Sequence, residues 1–280
     1  MMMFILRLIS SAITLCQLVL LRPLTHGIEV RYIDIGASSF EKPKFSLAFS
    51  KVKSAGFEPD DRSKEDFTTP SKLGDFDLFP VGLADVDEEL SLYLTKKSHC
   101  SSLLKPIKDG DSRYDIVGTV PVTCRRLDGF NLVADLVKID VQGAEQKVIS
   151  GGLETIKQAV VLECELFVSE AYEGQTRLDT LVRLLESVGF SLIGPSAVYR
   201  DPANIGKVEF VDLVFVNERL LVAQPDRIFI LLAHASERNY LKKLNLVPNL
   251  AGCTLFQRGL IKVIRTLDFV KPNLLLGLRA

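Results

Sequence analysis

One apolar strand and the glycine turn after it constrain the fold of this chain more than any other stretch. Residues 31–39 read Arg-Tyr-Ile-Asp-Ile-Gly-Ala-Ser-Ser. The aromatic and β-branched residues favour a buried strand, and Asp34 lies near its end. Gly36 follows at once, where a tight turn from a strand into a helix needs a residue without a Cβ, and where a ligand can approach the backbone closely.

The next strand-like run ends in a carboxylate, Glu58, which follows Gly36 by about 20 residues. This spacing puts a carboxylate on ribose hydroxyls in a nucleotide-binding βαβ unit. The dinucleotide fingerprint has three glycines, whereas Ala37 and Ser39 stand here where further glycines would be. The sequence therefore favours a nucleoside without a pyrophosphate, namely S-adenosylmethionine. The purely structural alternative is that Asp34 caps the following helix.

Composition excludes several other classes of protein. The chain has 280 residues, enough for one large α/β domain or two small ones, and its formal net charge of −1 gives no long-range attraction for nucleic acid. Its five cysteines include no C-x-x-C pair, and its three histidines form no i, i+4 pair. These counts predict a cytoplasmic protein with reduced thiols, with neither a disulfide framework nor a zinc site. A metal-free site is preferred to the alternative, a divalent cation held by Asp140 and Glu165.

The first 21 residues are strongly apolar and predict a helix that Pro23 and Gly27 terminate. A charge near the middle of this run disfavours a membrane-spanning helix, and no small-residue cleavage site marks a signal peptide. We expect a helix packed on the domain, with peripheral membrane contact through residues 1–22 as the alternative. Its polar residues recur at steps of three and four, as on one side of a helix: Arg7, Ser10, Ser11, Thr14 and Gln17.

Between Glu58 and residue 128 the pattern is less regular. Residues 60–75 are charged and predict a surface connection, residues 79–85 a third core strand that ends in Asp85, and residues 90–94 a strand near a sheet edge. Residues 98–111 predict a loop. Before Glu58, residues 43–52 have apolar residues at helical spacing and predict a short helix.

The second half alternates regularly between strands and helices. The predicted strands are residues 134–140, 159–166, 190–193 and 208–216, and the predicted helices are residues 146–159 and 178–188. The short connection between the last two strands indicates an antiparallel pair. This alternation predicts a mostly parallel, doubly wound sheet, whose ligand lies beyond the carboxyl ends of its strands. Carboxylates follow or end five strands: Asp34, Glu58, Asp85, Asp140 and Glu165.

Several short motifs together resemble the FkbM-type methyltransferases over residues 28–217. They include Tyr-Ile-Asp-Ile-Gly-Ala at residues 32–37, Gly-Phe-Glu-Pro-Asp at 56–60, Lys-Ile-Asp-Val-Gln-Gly-Ala-Glu at 138–145 and Glu-Cys-Glu at 163–165. The resemblance implies a class I, Rossmann-like seven-stranded sheet with an antiparallel last strand. It also implies an S-adenosylmethionine-dependent O-methyltransferase, with a sugar, glycan or secondary-metabolite hydroxyl as acceptor. The Lys-x-Asp-x-Gln-Gly-x-Glu block is the most specific of these motifs.

On this resemblance the acidic strand ends acquire separate roles. Gly36 and Ala37 would meet the methionine part of the cofactor, and Asp34 its ammonium group. Glu58 would accept from the ribose hydroxyls, because one carboxylate can accept two hydrogen bonds. Asp85 would accept from the adenine amino group, and Asp140 would face the sulfonium.

The catalytic roles fall on the same strand ends. Asp140 or Glu165 is the candidate base, with Lys138 as support, since methyl transfer to a hydroxyl profits from a base near the attacking oxygen. The candidate substrate contacts are Ser101, Ser102 and Glu145. The structural alternatives are a Lys138–Glu165 ion pair and a Glu145 that interacts only with a helix N-terminus.

The sequence thus divides into an apolar N-terminal helix (residues 1–25), an S-adenosylmethionine-binding methyltransferase domain (28–217) and a helical C-terminal extension (218–280). Two other classes of function stay open at this point. One is a nicotinamide-dependent oxidoreductase on a Rossmann-like sheet, which the missing glycines disfavour. The other is a catalytically inactive interaction module.

Overall fold

A computed structural model of the chain describes residues 2–38, 43–63, 75–201, 206–238 and 261–262, with the backbone alone for residues 2–10. The chain forms two compact units. The larger comprises Arg31–Lys42 and Lys53–Arg219, and the smaller comprises Met1–Val30, Pro43–Val52 and Leu220–Ala280.

The strands, in chain order, are β1 (Glu29–Ile35), β2 (Lys51–Phe57), β3 (Asp75–Phe79), β4 (Gly82–Leu83), β5 (Glu89–Thr95), β6 (Ile116–Arg125), β7 (Leu136–Ile139), β8 (Val161–Phe167), β9 (Phe190–Arg200) and β10 (Val208–Asn217). The described α-helices are α1 (Met2–Leu21), α2 (Glu145–Ser150), α3 (Leu153–Ile156), α4 (Leu178–Ser187), α5 (Glu218–Ala223) and α6 (Ile228–Arg238).

Seven strands form one sheet in the order β3-β2-β1-β7-β8-β10-β9. β7 pairs in parallel with both β1 and β8, and β2 pairs in parallel with β3. β10, the last strand in the chain, is antiparallel to both of its neighbours, β8 and β9. The predicted mostly parallel seven-stranded sheet with an antiparallel last strand is therefore confirmed.

The central strands are buried because their sequences are apolar in almost every position, as expected for strands covered on both faces. β8 is buried at six of its seven residues. Ile33, Val137, Leu162 and Phe215 are each at most 2% exposed and belong to one core cluster. Burial of each such side chain stabilises the fold by about 1.5–3 kcal/mol.

The predicted third core strand over residues 79–85 is wrong. The third strand of the sheet is β3, which ends at Phe79, and the chain leaves the sheet at Pro80, which has no N–H to continue a ladder. β4 belongs instead to a separate three-stranded sheet with the order β4-β6-β5. The predicted surface connection extended to Asp75, yet β3 begins there and accommodates Asp75 and Asp77 at exposed positions on the edge of the sheet.

The predicted helix over residues 146–159 is divided into α2 and α3 at Gly151 and Gly152. A Cβ on Gly151 would lie 2.0 Å from the carbonyl oxygen of Ala84, and one on Gly152 would lie 2.9 Å from the side chain of Leu127. The close approach of the chain requires glycine at both positions, and glycine is a poor helix former. Residues 43–52 differ similarly from the predicted helix, because only Lys44–Ala48 form a short 3₁₀ helix before β2 begins.

In the smaller unit, α1 packs against the 3₁₀ helix and against α6. The polar residues Thr14 and Gln17 are buried there, while Leu15 and Val19 are about half exposed. The predicted polar stripe therefore does not face solvent at these two positions. Within the described part of the chain, no helix has the length and apolar character needed to cross a membrane.

α6 is buried on all sides from Ile228 to Ser236, as its almost wholly apolar sequence favours. It matches the first of three helices that the sequence of the C-terminal extension predicts, over residues 228–235, 241–250 and 255–269. The other two helices expected there, over residues 241–250 and 255–269, lie outside the described residues apart from residues 261 and 262, which are helical.

Candidate active site

A cavity of about 210 Å³ opens in the larger unit at the ends of β1, β2, β7 and β8. It brings together residues that are far apart in the sequence. Six of the residues singled out from the sequence line it: Gly36, Glu58, Ser101, Ser102, Asp140 and Glu165. Its apolar lining includes Phe57, Val81, Leu83 and Leu92. Adjacent strands lie about 4.8 Å apart, so β2 and β8, three strand spacings apart, span roughly 14 Å.

Gly36 is required by the protein's own backbone. Its φ is +83°, and a Cβ there would lie 1.8 Å from the carbonyl oxygen of Asp140. Its N–H and that of Ala37 both donate to the carbonyl of Phe57, at 3.0 and 3.1 Å. The N–H of Asp140 donates to Ile35 at 2.9 Å. The turns after β1 and β7 therefore touch each other, and this contact accounts for the glycine without a ligand.

Glu58 lies directly after β2 and is 7% exposed. Its Oε1 accepts from the backbone N–H of Asp60 at 2.7 Å, and among the described residues Oε2 has no hydrogen-bond donor. Burial raises the pKa of Glu58 to about 7, against the lowering effect of the Asp60 N–H. The cavity therefore offers a carboxylate oxygen that a ligand hydroxyl can approach.

Lys138 links two of the predicted acids. Its Nζ lies 3.3 Å from Asp140 Oδ2 and 3.8 Å from Asp34 Oδ1. Burial acts to lower the pKa of Lys138, but these two carboxylates outweigh it and hold the pKa well above its usual value. The lysine is therefore a fixed positive charge, and its ion pairs are with Asp34 and Asp140 and not with Glu165. Asp34 is 6% exposed and does not line the cavity.

Gln142 connects the two candidate bases, although the sequence pattern predicted no functional role for it. Its Nε2 donates to Asp140 Oδ1 and to Glu165 Oε1, both at 2.9 Å. Its Oε1 accepts from the hydroxyl of Tyr172, also at 2.9 Å. Gln142 has a φ of +57°, unusual for a residue with a side chain. The signal that could have revealed it is its place in the Lys-x-Asp-x-Gln-Gly-x-Glu block.

Glu165 and Asp140, the two acids joined by Gln142, are both partly buried. Burial, followed by the nearby carboxylates of Asp140 and Asp212, raises the pKa of Glu165 to about 10. Glu165 is therefore protonated at neutral pH. Of the two carboxyl groups that share this amide, only Asp140 has a lysine beside it, with Lys138 at 3.3 Å.

Ser101 and Ser102 both use their hydroxyls within the protein. Ser101 Oγ accepts from Arg62 at 2.8 Å and from the backbone of Thr95 at 3.2 Å. Ser102 Oγ donates to the backbone carbonyl of Gln142 at 2.8 Å. These bonds fasten the connection between β5 and β6 (residues 96–115) over the cavity.

Asp85 and Glu145 lie away from the cavity. Asp85 is 3.6 Å from Lys147 and lines a second, smaller cavity beside Gly143. Glu145 is fully buried, and its Oε1 accepts from the N–H of Gly143 at 2.8 Å. Burial raises the pKa of Glu145 to about 7. Glu145 therefore closes the turn before α2, close to the structural alternative expected for it.

The described residues contain no group of three or more His, Cys, Asp or Glu side chains with the geometry to hold a metal ion. The described cysteines, Cys16, Cys100, Cys124 and Cys164, are free thiols.

The comparisons with known proteins agree with this geometry. The family model of the methyltransferase FkbM domain matches residues 34–192. The 2-O-methyltransferase NoeI of Sinorhizobium fredii is 31% identical over 173 residues, which is 55% of this chain and 70% of NoeI.

Two solved methyltransferase structures are more distant. The precorrin-6y C5,15-methyltransferase of Geobacter metallireducens has a TM-score of 0.35 at 14% identity, over 73% of this chain and 86% of its own. The TehB-like SAM-dependent methyltransferase of Corynebacterium glutamicum has a TM-score of 0.35 at 11% identity, over 68% of this chain and 80% of its own. At these TM-scores the fold assignment rests on the strand order and register of this chain.

The family match spans more than half of the chain, includes the strand ends that line the cavity and sets aside the oxidoreductase alternative. The chain belongs to the FkbM methyltransferase family, and its methyl donor is S-adenosylmethionine.

Proposed function

We propose that this protein is an O-methyltransferase that acts on a hydroxyl group of a sugar, glycan or related metabolite. The observation that carries the proposal is the single cavity lined by Glu58 at one strand end and by Asp140 and Glu165 at two others. The match to a 2-O-methyltransferase supports an oxygen acceptor. A small polar acceptor fits the cavity better than a nucleic acid does, because the chain has a net charge of −1.

The residues present fit S-adenosylmethionine. Glu58 has one carboxylate oxygen to which no described residue donates, and this oxygen can accept from ribose hydroxyls. Apolar side chains line the same cavity, as the base of a nucleoside requires. Glu58 would accept from these hydroxyls, while Phe57, Val81 and Leu83 would line the space for the base. Asp85 lies on the other cavity, and we assign it no contact with the adenine.

When bound, S-adenosylmethionine supplies a methyl group on a positively charged sulfur. Asp140 would accept the proton that the acceptor hydroxyl loses while the hydroxyl oxygen bonds to the methyl carbon and the carbon–sulfur bond breaks, with its electron pair left on sulfur. Lys138 holds one oxygen of Asp140 and Gln142 holds the other, so the carboxylate has a fixed orientation.

Glu165 is better suited to donating a hydrogen bond than to accepting a proton, because it is neutral at pH 7. Of the two candidate bases considered from the sequence, we therefore retain Asp140. Glu165 would orient the acceptor by donating a hydrogen bond to it, while Gln142 holds the carboxyl groups of Glu165 and Asp140 in place.

Isothermal titration calorimetry with S-adenosylhomocysteine tests the cofactor site directly. We expect the wild-type protein to bind, and Glu58→Ala to weaken binding by roughly 1–3 kcal/mol, since the ribose hydroxyls lose their acceptor. Glu89→Ala, which removes an exposed acid at the start of β5, is the matched control and should bind like the wild type. No binding by the wild-type protein would refute the proposal and favour an inactive interaction module.

A further inference from the structure

Three aromatic rings lead from the cavity to the open edge of the sheet. Phe167 and Phe210 both line the cavity, with ring centroids 5.4 Å apart. Tyr199 stacks on Phe210 at 4.3 Å, with an angle of 21° between the rings. Tyr199 is 44% exposed and lies on β9, which is the edge strand of the sheet. We call these three residues the aromatic track.

Hydrogen-bond acceptors lie beside the aromatic track. The hydroxyl of Tyr199 donates to Asp212 Oδ2 at 3.3 Å. Asp212 stands opposite Glu165 in the register of β10 and β8, so a row of carboxyl groups runs from the cavity toward Tyr199. Ser196 Oγ adds a hydroxyl on β9, where it donates to Glu163 at 3.2 Å. Carboxyl oxygens are the natural acceptors for alcohol groups.

The charges near the aromatic track disfavour an anionic ligand. Of the described lysines and arginines, Arg113 alone lines the cavity, and Asp111 holds its guanidinium at 2.6 Å. The buried carboxylate of Glu209 lies 3.3 Å from the same guanidinium. A phosphate or carboxylate group on a ligand would thus face the carboxyl groups of Asp140 and Asp212. Arg113, the described cation on the cavity wall, already pairs with two other carboxylates.

We propose that the aromatic track is a subsite for a second sugar ring, next to the ring that is methylated, in a neutral oligosaccharide acceptor. The inference rests on the proposed function and adds the acceptor's class and size to it. A sugar ring has an apolar C–H face that packs on an aromatic ring, and hydroxyls at its rim that donate to carboxyl oxygens. The aromatic track supplies the rings and the carboxyl groups beside it supply the acceptors, along one line that begins inside the cavity.

The test is direct binding of neutral saccharides to the full chain in the presence of S-adenosylhomocysteine. The probes are cellotetraose, chitotetraose and maltotetraose, with glucose and N-acetylglucosamine as single rings and tetragalacturonate as an anionic chain. We expect at least one neutral tetrasaccharide to bind more tightly than its monosaccharide. Tyr199→Ala should weaken that tetrasaccharide about tenfold and leave the monosaccharide unchanged, because only the longer ligand reaches the exposed ring.

Two further variants make the result specific. Tyr199→Phe keeps the ring and should retain most of the affinity, and Val198→Ala removes an exposed neighbour on the same strand and should behave like the wild type. Equal binding of the tetrasaccharide by wild-type and Tyr199→Ala protein would overturn the subsite. So would equal affinity for tetrasaccharide and monosaccharide, tighter binding of tetragalacturonate, or binding of no saccharide. Binding of S-adenosylhomocysteine to the wild-type protein is measured in a separate titration. If the wild-type protein does not bind it, the proposed function itself has failed.

Discussion

At the scale of single residues, the two candidate bases share a cavity and an amide but have different neighbours. Asp140 has Lys138 at 3.3 Å, whereas Glu165 is buried beside other acids. If Asp140 is the base, Asp140→Asn should lower the rate of methyl transfer by roughly 10²–10⁴-fold while S-adenosylhomocysteine still binds. Single-turnover transfer of labelled methyl measures the rate. Glu165→Gln should lower it far less, and the reverse order of the two variants would identify Glu165 as the base.

A second residue-scale prediction concerns pH. Burial raises the pKa of Glu58 to about 7, so this carboxyl group is half protonated near neutrality. Its ionised form can accept from two ribose hydroxyls, whereas a proton occupies one oxygen at lower pH. Affinity for S-adenosylhomocysteine should therefore rise as the pH increases through about 7, as measured by calorimetry in buffers on either side. Glu58→Gln should bind S-adenosylhomocysteine more weakly at all pH values, and its affinity should depend less on pH. An unchanged pH dependence in this variant would show that Glu58 does not bind the ribose.

At the scale of elements, one carboxylate on β10 holds the connection between β5 and β6 in place. Glu209 is 3% exposed, and its Oε1 accepts from Lys108, from Tyr114 Oη at 3.1 Å and from Arg113 at 3.3 Å. Glu209→Gln removes the buried charge shared by Lys108 and Arg113 and leaves Asp111 as their partner, so it should lower the free energy of unfolding by about 1–3 kcal/mol, measured in urea. It should also make residues 96–115 more sensitive to limited proteolysis.

A surface ion pair elsewhere supplies the control for Glu209. Asp87 and Arg126 form a pair in which both side chains are more than a third exposed, at 2.8 Å. Asp87→Asn should therefore change stability far less than Glu209→Gln does, because solvent screens an exposed pair. Similar losses for Glu209→Gln and Asp87→Asn would mean that the buried carboxylate does not secure the connection.

At the scale of the whole molecule, three buried glutamates make folding stability depend on pH. Burial raises the pKa of Glu58 and Glu145 to about 7 and that of Glu165 to about 10. The folded state therefore holds these protons more tightly than the unfolded state, in which glutamate titrates at about 4.5. Stability should fall as pH rises from about 4.5 to 7 through Glu58 and Glu145, and on toward 10 through Glu165.

Urea unfolding of the ligand-free protein across this range measures the effect. Glu165→Gln cannot ionise, so it should lose less stability than the wild type between about pH 7 and 10. Asp111 has a lowered pKa of about 2 because of its hydrogen bonds to Arg113, and its contribution is lost only at much lower pH. A wild-type stability that increases with pH above 7 would contradict the protonation assigned to the buried glutamates.

Local pattern was enough to predict much of the sheet. The strand before Gly36, the strand before Asp140 and the antiparallel pair at the end of the domain all have apolar runs bounded by turn residues, and all are present. The exceptions have physical reasons. β3 carries two aspartates that an exposed edge tolerates, and Gly151 with Gly152 divides a helix because Ala84 and Leu127 pack against them. Neither neighbour is visible in a local window of sequence.

The sequence alone determined the family motifs, the order of the strands along the chain and the acids at their ends, because these depend on residue type and spacing. Only the tertiary structure decided which acids meet. It places Glu58, Asp140 and Glu165 on one cavity and Asp85 on another, and it joins Asp140 to Glu165 through Gln142. Shared hydrogen bonds and burial arise from residues distant in the chain, and burial beside other acids raises the pKa of Glu165.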